Sequence, residues 1–515
     1  MPVSLLDQKH PFYKEHADMW TDLHYLYNNG DELRRNASRF LRPRPKEPSD
    51  LLAARLARFD YEDVIGTIAG YYTAKLFREA PQIDIRPVGP NGTASPADLD
   101  QKGKDYFAGL MRNINGGGKS LLEELQASFL NAFLYKTGWA VIDRPNTDNA
   151  LSYADQIAGG FESPKMLTVD PLMVYNWSED ADGNLEWVII SMRTTSGNWD
   201  EKPKIADVWY VFDRQNYRIY SSAVASGQAL SNERAQAVLV GEGQHAMAAE
   251  NRVPVRRFTL PAAYWVGNRL YLTALAHLNA LNELNWALML GCLSQIVIMS
   301  DDEVKLVRSE SAYIKLSRDD KIATTEPSGT TFRIQQDNVD KKREEMYRTA
   351  HLMHMGRSSA STPTNMSGES KKADMTPSSE VLEGIGEMLS EFIKNVLEDL
   401  GAVRMKPVKV SVTGFAFAKE VTGDQITADQ AAIDMGVPSE TFRKEIFKKV
   451  ALRAVPQSSR EIRDRIVEEI DDAPTSAEQA ALDAASRAEV MASALSKQVI
   501  RIGAGNGTEE DQVQA

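Results

Sequence analysis

Hydrophobic positions along this chain recur at two periods, and the expected structure changes where the period changes. Residues 11–29 place Phe12, Tyr13, Trp20, Leu23, Tyr25, Leu26 and Tyr27 at helical spacing. Ser49 to about Arg78 predicts one or two further helices, started by Ser49-Asp50 and stopped by Pro81. Ser120 and Glu123 form a capping-box pattern that opens a helix through Lys136. Thr137-Gly138 ends it, and residues 139–143 read as a strand. From Leu167 to Tyr220 the period drops to two, in short β-branched and aromatic runs. Asp182-Gly183-Asn184 and Arg214-Gln215-Asn216 lie between runs, as hairpin turns would. Residues 223–250 are alanine-rich and fit neither period, and 254–261 read as a loop or edge strand.

The second half returns to helical spacing. Leu270 to about Leu293 carries leucines at 272, 275, 278, 281, 284 and 288, with Asn279, Asn282 and Asn285 as a polar stripe open to water or another subunit. Residues after 293 look β-like, with acidic and glycine turns. The next helix runs over 337–355, capped by Asp337 and stopped by Gly356. A serine-rich, non-aromatic strip follows to Ser379, long for a loop inside a compact fold. A third helix starts near Ser378, with Pro377 near its first turn and an apolar face from Val381 to Leu397. Residues 406–417 read as a strand and the remainder as helical. A helix–turn–helix pattern centred on Gly436-Val437-Pro438 lacks a basic face for reading DNA. The acidic C-terminal stretch ends in a dozen residues expected to be disordered.

Composition narrows the function classes. A chain of 515 residues predicts two to four domains. Its net charge of −13 excludes a surface that grips nucleic acid everywhere. Cys292 is the sole cysteine, so no intrachain disulfide exists, and its apolar setting reads as core. The most apolar run, Trp286–Met299, is too short to span a bilayer, and the first residues lack a signal-peptide pattern. No membrane partner is expected.

Candidate chemistry is sparse. Gly116–Ser120 reads GGGKS, like the end of a phosphate-binding loop. The pattern needs a further glycine where Asn113 stands, so a turn before the capping box is the simpler reading. His351 and His354 are spaced as a metal half-site without a third ligand, and packing explains them as well. No nucleophile elbow or Ser/His/Asp spacing appears. A non-enzyme with no metal or cofactor is expected.

The element order from Leu270 onward is helix, β insert, helix, polar loop, helix, strand and helical tail. This order resembles the portal proteins of tailed bacteriophages, the head–tail connectors. The N-terminal stretches from Phe12 to Pro45 and Arg58 to Ile83, and the glycine turn, helix and strand over 115–143, add to the likeness, which covers roughly residues 10–455. The resemblance implies an α+β, predominantly helical fold. Residues 1–265 and 378–422 would form the wing, and 266–293 and 337–355 the two stem helices. Residues 294–336 would be the clip, 356–377 the tunnel loop, 423–500 the crown and 501–515 a disordered tail.

It also implies a role: a ring, usually of twelve subunits, at one capsid vertex of the virion, through which double-stranded DNA is packaged and ejected. Implied partners are further copies of the chain, the terminase large subunit, head–tail adaptors, and major capsid and scaffolding proteins. Arg357, Lys371 and Lys372 would face DNA from the tunnel loop. Lys341, Lys342 and Arg343 would open the second stem helix, lining the channel or pairing with Glu344 and Glu345. Asp301, Asp302, Lys305, Arg308 and Arg318 would meet motor and adaptors at the clip. The alternatives are another self-assembling virion component, such as an adaptor or minor head protein, and a nucleotide-dependent enzyme built on Gly116–Ser120.

Overall fold

The computed structural model describes residues 1–78, 80–144, 164–196, 200, 204–224, 236–291, 295–299, 321–325, 329–352, 368–404, 406–414, 439–454 and 460–473. They divide into two compact units, Met1–Phe417 and Ala418–Ala515. The larger is α+β, as expected.

Its N-terminal part carries helices α1 (Val3–Leu6), α2 (Pro11–Asn28), α3 (Gly30–Arg35), α4 (Ala37–Phe40), α5 (Ser49–Ala57) and α6 (Val64–Leu76). Helix α2 begins at a proline, and the His10 ring accepts the Phe12 N–H at 3.1 Å. It buries Tyr13, Trp20, Leu23 and Leu26, the face that the sequence spacing predicts. Strand β1 (Gln82–Pro87) and helix α7 (Gln101–Arg112) follow, two elements absent from the sequence reading. Helix α8 (Leu121–Tyr135) starts with the expected capping box: Glu123 N–H donates to Ser120 Oγ at 3.3 Å, and Ser120 N–H to Glu123 Oε2 at 2.7 Å.

The β region forms two sheets. Strand β2 (Thr137–Asp143) lies between β3 (Lys165–Val169) and β9 (Val255–Thr259), all antiparallel, so residues 255–259 are an edge strand. A five-stranded meander orders β4 (Val174–Glu179), β5 (Leu185–Ser196), β6 (Lys204–Asp213), β7 (Asn216–Val224) and β8 (Val238–Gln244). Both predicted hairpin turns occur. The Asp180 carboxylate accepts N–H groups of Asp182 and Asn184, and that of Asp213 those of Gln215 and Asn216.

The long helix α9 (Val266–Gly291) matches the expected first rod. It leads to the antiparallel pair β10 (Gln295–Met299) and β11 (Lys321–Thr325). Helix α10 then runs over Gly329–Thr349, and α11 over Gly368–Val403. Both begin well before their predicted starts. Asp337 therefore lies inside α10 rather than capping it, and residues 329–336 leave the expected β insert. Helix α10 also ends before Gly356: His351 takes a left-handed backbone (φ 57°) in the turn beyond it. Strand β12 (Val408–Thr413) pairs antiparallel with β1, joining the C-terminal end of this unit to residues 82–87.

A main apolar core unites most of these elements, and a smaller cluster of Val3, Leu6, Ile189, Trp209 and Ala237 joins α1 to the five-stranded sheet. Helix α8 contributes Leu125, Phe129 and Phe133, α9 Leu270, Ala274 and Leu278, and α10 Met346. Helix α11 adds Leu382, Ile385, Leu389, Ile393, Val396, Leu397 and Leu400. Burying each such side chain stabilises the fold by about 1.5–3 kcal/mol, so the apolar stripe of α11 is an intrachain seam. Asp399 fastens the same helix to β9 through Arg256 at 2.5 Å and to the segment before it through Arg252 at 2.6 Å. In the smaller unit, α12 (Glu440–Ala454) packs on α13 (Arg460–Asp472). Lys448 bridges Asp471 at 2.6 Å, and Lys444 Nζ donates to the carbonyls of Asp471 and Ala473 at the end of α13.

Candidate channel-lining site

The two long helices α9 and α10 are the segments in which the sequence reading places candidate channel-lining residues. The root of α9 is fixed by close backbone approach. A Cβ built on Gly267 would lie 2.7 Å from the Leu134 carbonyl oxygen, so only glycine fits there. Trp265 Nε1 donates to that same carbonyl at 3.0 Å. One turn on, Tyr271 donates to Asp22 Oδ2 at 2.6 Å, and Asp22 is also gripped by Arg39.

Helices α9 and α10 pack side by side, and the segment 58–63 ties them. Asp60 N–H donates to Asn282 Oδ1 at 3.0 Å, Asn282 Nδ2 returns a bond to the Asp60 carbonyl at 2.8 Å, and Asn285 Nδ2 meets Asp60 Oδ2 at 3.0 Å. Asn279 bonds back to Leu275 of its own helix. Within this chain, Asn282 and Asn285 therefore hold Asp60, and Asn279 holds its own helix.

Glu62 reaches both helices. Its Oε2 lies 3.2 Å from Nε2 of the buried His277 on α9, and its Oε1 3.3 Å from Arg343 on α10. That ring nitrogen lies off the ideal hydrogen-bond line and has no other partner among the described residues. The His277 contact does most to hold the Glu62 carboxyl below its usual range; burial works the other way, and Arg343 adds to the lowering. Burial also pushes up the neighbouring Tyr61 hydroxyl and the Asp63 carboxyl.

The predicted basic residues separate. Arg343 pairs with Asp340 at 2.7 Å as well as with Glu62, not with Glu344 or Glu345, because on a helix i−3 lies on the same face and i+1 does not. It is an internal tie between the segment 58–63 and α10. Lys341 is exposed and Lys342 half-buried. All three stand mid-helix rather than at a helix start, away from the first-turn dipole. Lys371 and Lys372 lie within α11, so the expected loop 356–377 is helical from Gly368. Lysines, alanine and methionine over 371–375 favour helix, and Pro377 does not stop it. Arg357, Asp301, Asp302, Lys305, Arg308 and Arg318 lie outside the described residues.

Two rival sites have a physical answer. The amides of GGGKS face side chains: Gly117 and Lys119 donate to Asn115 Oδ1, and Gly118 to Asn113 Oδ1. Helix α7 precedes the loop instead of the strand a phosphate cradle needs, so the segment is a turn. His351 lies off the end of α10, which removes the helical spacing that paired it with His354, itself outside the described residues.

No family model and no curated protein matches this chain. Among solved structures, it is similar to a chain of the virion of a native gene transfer agent (GTA) particle, at TM-score 0.37 and 11% identity, over 80% of this chain and 98% of that one. It is also similar to a chain of the neck of an empty GTA particle, at TM-score 0.36 and 10% identity, over 77% and 93%.

Proposed function

We propose that this chain is a portal subunit, a head–tail connector that closes into a ring of about twelve copies. DNA enters and leaves a capsid through its bore. The observation that carries this reading is the rooted two-helix arm. Helices α9 and α10 pack together and flank the β10–β11 pair, while residues 329–338 of α10 lie largely outside the core. Each arm exposes apolar side chains that its own core does not use, notably Leu272 (73% exposed) and Ile334 (64%). A neighbouring arm would cover them in a ring.

In this reading 294–328 is the clip that meets the packaging motor and then adaptors, with Asp301, Asp302, Lys305, Arg308 and Arg318 as its charged contacts. The cations of the bore would come from among Lys341, Lys342, Lys371, Lys372 and Arg357. An acidic chain with few such cations suits passage of DNA, because accumulated phosphate contacts would arrest it.

The test is assembly of the full-length chain. Native mass measurement should give a closed oligomer of about a dozen copies, and negative-stain images a ring with a central hole. A persistent monomer at micromolar concentration, or a compact particle without a hole, would overturn the proposal.

A further inference from the structure

A cavity of about 420 Å³ opens where α3, the end of α5 and the second half of α9 meet. Its volume lies in the range of small-molecule sites, roughly 300–1,000 Å³. Three arginines line it: Arg34, Arg55 and Arg58. Arg55 is buried and already satisfied, with Nη1 at 2.8 and 2.7 Å from the two oxygens of Glu47. Arg34 and Arg58 are exposed and have no ion-pair partner among the described residues. Asp60 is the one acidic side chain of the lining, and Asn285 already holds its carboxylate. Counting Glu47 and Asp60 against the arginines leaves one net positive charge, in a chain whose total is −13. Phe59 and Trp286 are the aromatic residues of the lining.

We infer that this cavity binds a nucleoside phosphate, with the phosphate between Arg34 and Arg58 and the base against the aromatic wall. Guanidinium forks match phosphate oxygens in geometry and keep their charge at any working pH. The rings give a planar base a surface to stack on. The pairing with Glu47 fixes Arg55 as a rigid floor, so the two unpaired arginines are the variable contacts. This inference stands apart from the portal reading, since it needs neither a ring nor a bore.

The ligand could be a free nucleotide or the phosphorylated end of a nucleic acid, and one calorimetric experiment separates them. Full-length protein is titrated with adenosine 5′-monophosphate, with inorganic phosphate, and with a short single strand with and without its 5′-phosphate. The mononucleotide or the phosphorylated strand should bind, and whichever is tighter names the source. Arg34→Ala and Arg58→Ala should each weaken that binding about tenfold, the effect of losing one charge-assisted contact. Both residues are exposed, so the melting temperature should hold. Binding by neither nucleoside phosphate, equal affinity for inorganic phosphate, or binding indifferent to both variants would each overturn the inference.

Discussion

Gly267 stands where α9 leaves the core, and its missing side chain sets how closely that helix approaches α8. Both atoms nearest a hypothetical Cβ are backbone carbonyl oxygens, of Leu134 and Phe133, which cannot step aside as a side chain would. Gly267→Ala should therefore cost about 1–3 kcal/mol, read as a lower denaturant midpoint. An unchanged midpoint would mean that the helix root is pliable. Glu62 gives the residue scale a pH signature. Its folded-state carboxyl is lowered, so its contribution is complete above the ordinary carboxylate range and is lost as pH falls through the lower folded value. Asp63 is shifted the opposite way by burial, so acidification relieves its penalty. Comparing wild type with Glu62→Gln isolates the first effect. Between about pH 5 and pH 3 the wild type should lose more stability than the variant. Parallel curves would remove Glu62 as a tie between the rods. None of this was legible in the sequence. Glu62 looks like one acid among many, and its partners His277 and Arg343 lie more than two hundred residues away. The asparagine stripe was visible, but Asp60, which Asn282 and Asn285 hold, was not.

Elements were legible where one signal dominated. The Ser120–Glu123 box, the meander turns and the rods α9 and α11 follow local chemistry or long unbroken periodicity, and the structure forms them. Strand β1 was missed because its burial is even along its length and its pairing with β12 is more than three hundred residues distant. The starts of α10 and α11 were missed because polar residues there were read as insert and loop. A solvent-facing helix end needs no apolar period. Pro377 makes the second case testable. It sits exposed inside α11, where it removes one ladder hydrogen bond and crowds the preceding turn. The nine residues before it, 368–376, are thus joined to the rest by a weakened ladder. Pro377→Ala should stabilise the helix, by up to about 3 kcal/mol if the preceding turns stay folded. Hydrogen exchange should show slower amide exchange over 368–376 in the variant. Equal exchange would mean that this stretch does not behave as part of the helix.

At the scale of the whole molecule, and within the proposed ring, the helical placement of Lys371 and Lys372 would change what a channel can do. On a free loop two adjacent lysines are interchangeable, since each can swing to a passing phosphate. On a helix adjacent positions are separated by about 100° around the axis, so the two cannot present to the bore alike. The double change Lys371→Ala/Lys372→Ala should weaken DNA retention, and the two single changes should be unequal, one carrying most of the loss. Salt supplies the quantitative check. Each phosphate contact removed should lower the slope of log affinity against log salt by about 0.9, and ring symmetry multiplies that change by the number of chains in contact. In the proposed ring the net charge of −13 on each copy would keep the total weak enough for DNA to move. Identical effects of the two single substitutions would return these lysines to a pliable loop, and a salt slope untouched by the double change would take them out of the bore.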